Sequence, residues 1–207
     1  MNHPRRGFAK PWHDRFVATL PGGTAGVLDL GCGSGSPVAK YLAACGLHVT
    51  GVDSSPTLIS LCRKRLPDHQ RLVRLLRLPR RFGGILAWDS LFHLTPDDQR
   101  GMFDVFARHA TPSATLMFNS GPTHGEVVGA YRDDPLYHAS LHPDEYTAPL
   151  GSIGFAVVAH AAEDWRTGGT LFGEAQRDIM QYGIRRRAAQ LINSNRAVTN
   201  SNKFILF

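Results

Sequence analysis

The apolar residues of the chain follow two patterns. Short apolar runs predict buried strands at Val27–Leu30, Leu47–Val52, Ile85–Trp88, Ala114–Phe118 and Phe155–Ala159. Between them, apolar residues at helical spacing predict helices over residues 10–20, 37–45, 55–66, 95–106 and 143–151. Strands that alternate with helices predict one α/β domain built on a mostly parallel sheet.

Several helix ends carry local signals. Ser55 and Thr95 are each followed by a proline, the arrangement of an N-cap residue before a proline at the first helical position. Gly46 is a suitable C-terminal stop for the helix before it. The helix after Ser55 is expected to bury an apolar stripe of Leu58, Leu61, Cys62 and Leu66.

Composition narrows the class of protein. The 207 residues carry a net charge of +6, and the excess is nearly all arginine at 63–81 and 185–187, without the interleaved aromatic residues of a single-strand binder. The three cysteines lack metal-ligand spacing, so no metal site is expected. No apolar run approaches the roughly 18 residues of a membrane span. We therefore expect a soluble cytoplasmic protein that does not bind membranes. Nucleic acid is disfavoured as a partner.

A glycine-rich turn follows the first strand. Gly31, Gly33 and Gly35 allow a sharp bend and a close approach of the backbone to a ligand, and Asp53 ends the next strand. A carboxylate in that place can accept hydrogen bonds from both hydroxyls of a ribose. The pattern predicts a nucleoside-bearing ligand, and the alternative is a glycine turn that only packs strand against helix.

The spacing of the turn argues against a dinucleotide. Dinucleotide-binding turns read G-x-G-x-x-G, whereas this turn reads G-x-G-x-G and has Ser36 after it. Asp29 precedes the turn, and its charge would repel a pyrophosphate but would suit the ammonium of an amino-acid group. A nucleoside with an amino-acid end is therefore favoured over NAD.

The run Val27–Gly35 (VLDLGCGSG) resembles the first motif of class I S-adenosylmethionine (SAM)-dependent methyltransferases, and Gly51–Ser55 resembles their ribose-binding strand. Ala87–Leu94 is similar to the motif after the fourth strand, whose loop faces the transferred methyl group. The resemblance implies a Rossmann-like, doubly wound, mostly parallel seven-stranded sheet and methyl transfer from SAM to an oxygen or nitrogen of a small-molecule acceptor, leaving S-adenosylhomocysteine (SAH). The implied cofactor-binding residues are Asp29, Gly31, Cys32, Gly33, Gly35, Asp53, Ser54 and Asp89.

Three side chains are candidates for catalysis. His93 leaves the fourth strand at the carboxyl edge of the sheet and is the first candidate for a general base, with Asp89 beside it. His138, next to Tyr137, is a further candidate for an acceptor pocket. Each has a structural alternative: His93 as a helix cap, Asp89 as an acceptor for loop amides, and His138 in a surface loop.

Two segments depart from the family pattern. No Asp or Glu lies between Gln70 and Gly84, where these enzymes usually bind the adenine amino group. We expect a methyltransferase domain over residues 1–172, with a degraded last strand at Thr170–Phe172, and an atypical basic and polar tail over 173–207. A helix, a disordered segment or an out-of-frame translation are the interpretations of this tail, and the last two are favoured.

Two other functions remain open. One is a protein of this fold that binds SAM or SAH without catalysis, which the missing adenine acid favours. The other is a nucleic-acid methyltransferase, but Asp89-Ser90-Leu91-Phe92 is not the Asn/Asp-Pro-Pro-aromatic motif usual in that class.

Overall fold

The computed structural model describes residues 8–24, 26–68, 70–73, 78–121, 124–131, 134–161 and 180–186, with the backbone alone for 70–73, 131, 161 and 180–186. Five α-helices lie in these ranges: α1 (Lys10–Thr19), α2 (Val38–Ala44), α3 (Pro56–Arg65), α4 (Pro96–His109) and α5 (Pro143–Ser152). Leu91–His93 forms a single 3-10 turn. The strands are β1 (Val27–Leu30), β2 (Val49–Asp53), β3 (Gln70–Val73), β4 (Phe82–Ala87), β5 (Ala110–Ser120), β6 (Gly125–Tyr131), β7 (Asp134–Ser140), β8 (Phe155–Ala161) and β9 (Met180–Arg186).

Within the described residues, seven strands form one sheet in the order β3-β2-β1-β4-β5-β9-β8. The strands from β3 to β5 are parallel to their neighbours, whereas β9 runs antiparallel between β5 and β8. The chain winds outward from β1 in one direction and then from β4 in the other. Ligands of such sheets bind where the winding direction changes, at the carboxyl ends of these two strands.

Helices cover both faces of the sheet. Leu28 of β1 and Ile85 of β4 face a core that includes Phe106 of α4 and Tyr146 of α5. Val27 of β1, Leu86 of β4 and Trp88 directly after β4 face the other side of the sheet. There they form a second core with side chains of α1 (Trp12 and Phe16) and α2 (Ala39 and Leu42). Because both faces are buried, the central strands consist mostly of apolar residues, with Asp29 of β1 as a charged exception, and they read as short apolar runs in the sequence.

The doubly wound α/β fold is confirmed, but the buried face of α3 was predicted only in part: Cys62 is buried and Leu66 packs against the second core, whereas the other two residues of the predicted stripe are wrong. Leu58 and Leu61 are 37% and 39% exposed, while Ile59 and Cys62 are fully buried. The rotation of α3 places Cys62 against the glycine turn, where a Cβ on Gly35 would come within 2.4 Å of the Cys62 Sγ. This contact between distant segments accounts for the burial of Cys62.

The sheet continues beyond the predicted domain boundary at residue 172. Met180–Arg186, which the sequence placed in a tail, forms β9 and pairs with both β5 and β8. The predicted strand at Thr170–Phe172 lies outside the described residues, as do 74–77 of the segment without acids and 187–207 of the tail. No described helix combines the length and apolar character needed to span a membrane.

Candidate functional site

The turn after β1 is fixed to the neighbouring strand by backbone hydrogen bonds. The amides of Gly31 and Cys32 both donate to the carbonyl of Val52, at 2.8 and 3.0 Å. Gly31, Gly33 and Gly35 have φ angles of 78°, 53° and 78°. These values lie in the left-handed region that residues with a Cβ adopt at a cost, so the conformation of the turn requires glycine at these places.

The three glycines differ in what surrounds them. A Cβ on Gly31 would lie 2.2 Å from the Cβ of Ser90, and one on Gly35 would meet Cys62. A Cβ on Gly33 would have no neighbouring atom within 4 Å. Gly31 and Gly35 therefore serve the packing of the protein itself, and Gly33 borders open space that a ligand can occupy.

Asp53 ends β2 beside this space. Its Oδ2 accepts a hydrogen bond from the amide of Gly33 at 2.8 Å, and its Oδ1 accepts one from the amide of Ser55, also at 2.8 Å. An ionised carboxylate offers about four lone-pair sites, so each oxygen keeps capacity for a further donor. The half-buried carboxylate is thus held in one orientation at the carboxyl edge of the sheet and can still accept from a hydroxyl.

Three more predicted cofactor residues lie in or near the turn and differ in their burial. Asp29 is buried within β1, on the face that carries α1 and α2, and is 2% exposed. Cys32 is half-buried in the turn, with its Sγ 3.7 Å from the carbonyl oxygen of Gly33, and Ser54 is exposed directly after Asp53.

Asp89 follows β4 and is fixed by a residue that the sequence analysis did not single out. The amide of Asp89 donates to Oδ1 of Asn119 at 2.8 Å, and Nδ2 of Asn119 donates to Oδ1 of Asp89 at 2.7 Å. Asn119 is buried near the end of β5, whereas Asp89 is exposed and has a φ of 51°. Ser90 ties the same loop to β1, because its Oγ donates to the carbonyl of Leu30 at 2.7 Å. Polar residues at the carboxyl end of an apolar strand are the signal by which Asn119 could have been found.

The structure brings His93 and His138 together. Their ring centroids lie 4.7 Å apart, and Phe92 lies 5.3 Å from the ring of His138. Nδ1 of His93 lies 3.1 Å from the carbonyl oxygen of Tyr137. Because a carbonyl can only accept, this nitrogen donates its proton, and Nε2 carries the lone pair in a neutral imidazole.

The structural alternatives for both histidines are wrong. The N-cap of α4 is Thr95, whose side chain accepts from the amide of Asp98, so His93 does not cap this helix. His138 lies in β7 with 6% exposure instead of in a surface loop. The exposed ring of His93 and the buried ring of His138 form one pair at the carboxyl edge of the sheet.

The two antiparallel strands β6 and β7 form a hairpin after β5. Its base is closed by Ser140, whose Oγ accepts from the amide of Gly121 at 2.7 Å. Along the hairpin, the hydroxyl of Tyr137 donates to a carboxylate oxygen of Glu126. This hydrogen bond raises the pKa of Tyr137 to about 12, so its phenol remains protonated at neutral pH and does not act as a base.

Helix α1 covers the opposite face of the sheet near the same edge. His13 is fully buried there, with its ring 4.9 Å from that of Trp88 in an edge-on arrangement. Its Nδ1 lies 2.8 Å from the carbonyl oxygen of Ala9, while its Nε2 has no partner among the described residues. Burial of the ring lowers the pKa of His13.

Comparison with protein families identifies this architecture. A family model described as a methyltransferase domain matches residues 27–113, which run from β1 into β5. The match confirms the resemblance to class I SAM-dependent methyltransferases that rests on the glycine turn and on the strand that ends at Asp53.

Individual relatives of the methyltransferase domain are distant. An O-methyltransferase (rstn1) of Aspergillus nomiae is 27% identical over 149 residues, which make up 64% of this chain and 64% of that protein. The chain thus spans slightly less than two thirds of that relative's length.

Solved methyltransferase structures share the fold. A glycopeptide N-methyltransferase in complex with SAH superposes with a TM-score of 0.67 at 18% identity, over 90% of this chain and 92% of its own. Magnesium protoporphyrin IX methyltransferase from Synechocystis, with bound SAM, gives a TM-score of 0.64 at 19% identity, over 86% of this chain and 77% of its own.

Proposed function

We propose that this methyltransferase domain transfers a methyl group from SAM to an oxygen or nitrogen of a small-molecule acceptor. The observation that carries the proposal is the Asp53 carboxylate, oriented by the amides of Gly33 and Ser55 beside the open space at Gly33. The names of similar proteins support it, since they include an O-methyltransferase and a glycopeptide N-methyltransferase. The cytoplasm is the proposed location.

The residues present fit SAM. Asp53 accepts the ribose hydroxyls, Gly33 and Cys32 line the turn without a bulky side chain, and Ser54 and Asp89 border the same edge. Asp29 favours a ligand with an ammonium group, and Gly31 and Gly35 hold the turn in its shape. When bound, SAM supplies an electrophilic methyl group on a sulfonium sulfur.

The protein's part in methyl transfer is to orient the acceptor and to take its proton. The reaction is an in-line displacement, so holding the nucleophile in line accounts for much of the acceleration. His93 is the proposed base, because its bond to the carbonyl of Tyr137 directs the lone pair to Nε2. Asp89, fixed by Asn119, is the proposed second contact to acceptor or cofactor, and His138 borders the acceptor.

A second candidate function is binding of SAM or SAH without catalysis. The absence of Asp and Glu between Gln70 and Gly84 favours it, because the adenine then lacks an acidic partner from this segment. One such hydrogen bond is worth about 0.5–1.5 kcal/mol, up to about tenfold in affinity. Transfer of a labelled methyl group from SAM to a panel of small alcohols, phenols and amines separates the two functions.

Isothermal titration with SAM and SAH tests the shared part of both functions. Asp53→Ala is expected to weaken binding by about 1.5–3 kcal/mol, about tenfold to 150-fold, because charge-assisted hydrogen bonds to the ribose are lost. Asp104→Ala is the matched control: it removes an exposed acid from α4 and is expected to leave affinity unchanged. Unchanged binding in Asp53→Ala, or no binding by the unaltered chain, would contradict the proposal.

A further inference from the structure

A buried polar network lies behind the two imidazoles. Gln99 of α4 is fully buried, and its Nε2 donates to the carbonyls of Leu94 and Ala139, both at 2.9 Å. Its Oε1 accepts from the hydroxyl of Tyr146 at 2.6 Å, and that hydroxyl accepts from the amide of Leu141 at 3.0 Å. One side-chain amide therefore joins α4 to three other parts of the chain: the segment before it, β7 with the residue after it, and α5.

The two carbonyls held by Gln99 belong to particular residues. Leu94 directly follows His93, and Ala139 directly follows His138. These segments are 45 residues apart in the sequence, and they meet at the rings, whose centroids are 4.7 Å apart. A single nitrogen atom thus fixes the backbone next to both imidazoles.

The chemistry of this position requires an amide. Nε2 of glutamine supplies two protons and Oε1 supplies an acceptor, and all three capacities are used here. Glutamate would lack both donors, and an apolar residue of the same size would leave polar groups buried without partners. Because water does not reach the fully buried amide, no solvent molecule can replace these bonds.

We propose that Gln99 is a positioning residue for the general base. Its amide sets the relative placement of the two segments, which keeps Nδ1 of His93 on the carbonyl of Tyr137 and leaves Nε2 as the basic nitrogen. This role rests on the proposed function, in which His93 takes the proton of the acceptor. Tyr146 assists by holding Oε1 of Gln99 in place.

Nitrogen-15 NMR of histidine side chains in the full chain tests this role, with the His93 signals assigned by their loss in His93→Gln. At a pH of about 8.5, where ordinary histidines are neutral, the unaltered chain is expected to show His93 mainly with its proton on Nδ1. In Gln99→Met, the ratio of this tautomer to the other is expected to fall about two- to tenfold, the effect of losing one ordinary hydrogen bond. The control Met102→Leu, a conservative change in the same helix, is expected to keep the ratio.

Other outcomes overturn the inference. A folded Gln99→Met chain with an unaltered His93 tautomer would do so, and so would an unaltered chain in which His93 carries its proton on Nε2. Should Gln99→Met not fold, Tyr146→Phe decides, because it removes only the hydroxyl bond to Gln99 and is expected to shift the tautomer ratio in the same direction. Titration with SAH distinguishes failure of this inference from failure of the proposed function. If the unaltered chain does not bind SAH, the proposed function is contradicted. If SAH binds but the His93 tautomer is unchanged in Gln99→Met, only the role of Gln99 is contradicted.

Discussion

Gly31 and Gly33 lie two residues apart in the turn after β1, yet an added methyl group would meet different surroundings at each. At Gly31 it would overlap Ser90, whose side chain ties the loop after β4 to β1. At Gly33 it would enter open space next to Asp53. At the scale of the residue, one glycine therefore serves stability, and the other borders the open space that is proposed to hold the cofactor.

Alanine substitutions at the two glycines should separate these roles. Both place a Cβ at positive φ, which costs about 1–2 kcal/mol. Gly31→Ala is expected to lower the free energy of unfolding further, because of the 2.2 Å approach to Ser90. Gly33→Ala is expected to lower the free energy of SAH binding by more than it lowers the free energy of unfolding. Urea denaturation and titration with SAH measure the two effects.

A double substitution sharpens this test. Ser90→Gly removes the side chain that an alanine at position 31 would strike, so it should restore part of the stability lost in Gly31→Ala. Strict additivity of the two substitutions would mean that Ser90 is not the cause of the destabilisation.

At the scale of the element, α1 is attached to the sheet through a buried titratable group. The ring of His13 packs against those of Phe8 and Trp88, and burial lowers its pKa. The hydrogen bond with the carbonyl of Ala9 and the charges of Asp89 and Asp14 oppose part of that effect. The folded state therefore holds His13 neutral at a pH where the unfolded chain, with a histidine pKa of about 6.5, already takes up a proton. The contribution of His13 to stability is fully present above about pH 6.5, and it declines as the pH falls below this value towards the lowered pKa of the folded state.

Replacement of this histidine should flatten the pH dependence of stability. His13→Phe keeps a ring in the aromatic cluster but cannot be protonated, so its melting temperature should fall less than that of the unaltered chain between about pH 7 and 5. His48→Gln, which removes an exposed histidine, is the control and should follow the unaltered chain. If the melting temperatures of His13→Phe and of the unaltered chain change equally with pH over this range, the stability of α1 does not depend on a neutral imidazole.

At the scale of the whole molecule, β9 joins two parts of the sheet. It lies between β5 and β8, and six residues of β9 pair with each neighbour. Without β9, the edges of β5 and β8 would be left with unpaired backbone groups. The sheet therefore depends on residues beyond position 172.

Truncation tests this dependence. A chain that ends after Arg186 should keep a cooperative unfolding transition, whereas one that ends after Phe172 should aggregate or lose its cooperative transition, because β5 and β8 lose their shared partner. Circular dichroism melting and size-exclusion chromatography are the measurements. Similar melting temperatures for the two truncated chains would contradict the placement of β9 in the sheet.

Much of the fold follows from local sequence patterns. The strand Val27–Leu30 was predicted with its exact bounds, and the start of α4 was predicted from Thr95 and Pro96, because apolar runs and caps act between neighbouring residues. The exposure of Leu58 and Leu61, the burial of Ile59 and the strand β9 were not predicted, because they depend on packing and pairing between segments that are distant in the sequence.

The site divides in the same way. Asp53 and His93 are predicted as site residues from their places at strand ends, and the structure gives each the hydrogen-bond partners described above. Asn119 and Gln99 were not found, because Asn119 binds Asp89, which is 30 residues away, and Gln99 binds a backbone carbonyl that is 40 residues away and leaves no mark in the sequence. Residues that hold other residues in place are the ones that a single sequence conceals.

The closed base of the β6–β7 hairpin has a consequence for diversification. The Oγ of Ser140 accepts a hydrogen bond from the amide of Gly121 where the hairpin leaves and rejoins the domain. Among the described residues, the strands of the hairpin do not pair with strands of the main sheet. Its outer half can therefore be exchanged or lengthened as a cassette without disturbing the strands that carry Asp53 and the glycine turn. Under the proposed function, changes in this hairpin, which carries His138, would alter the preference for an acceptor and leave the residues proposed to bind SAM unchanged.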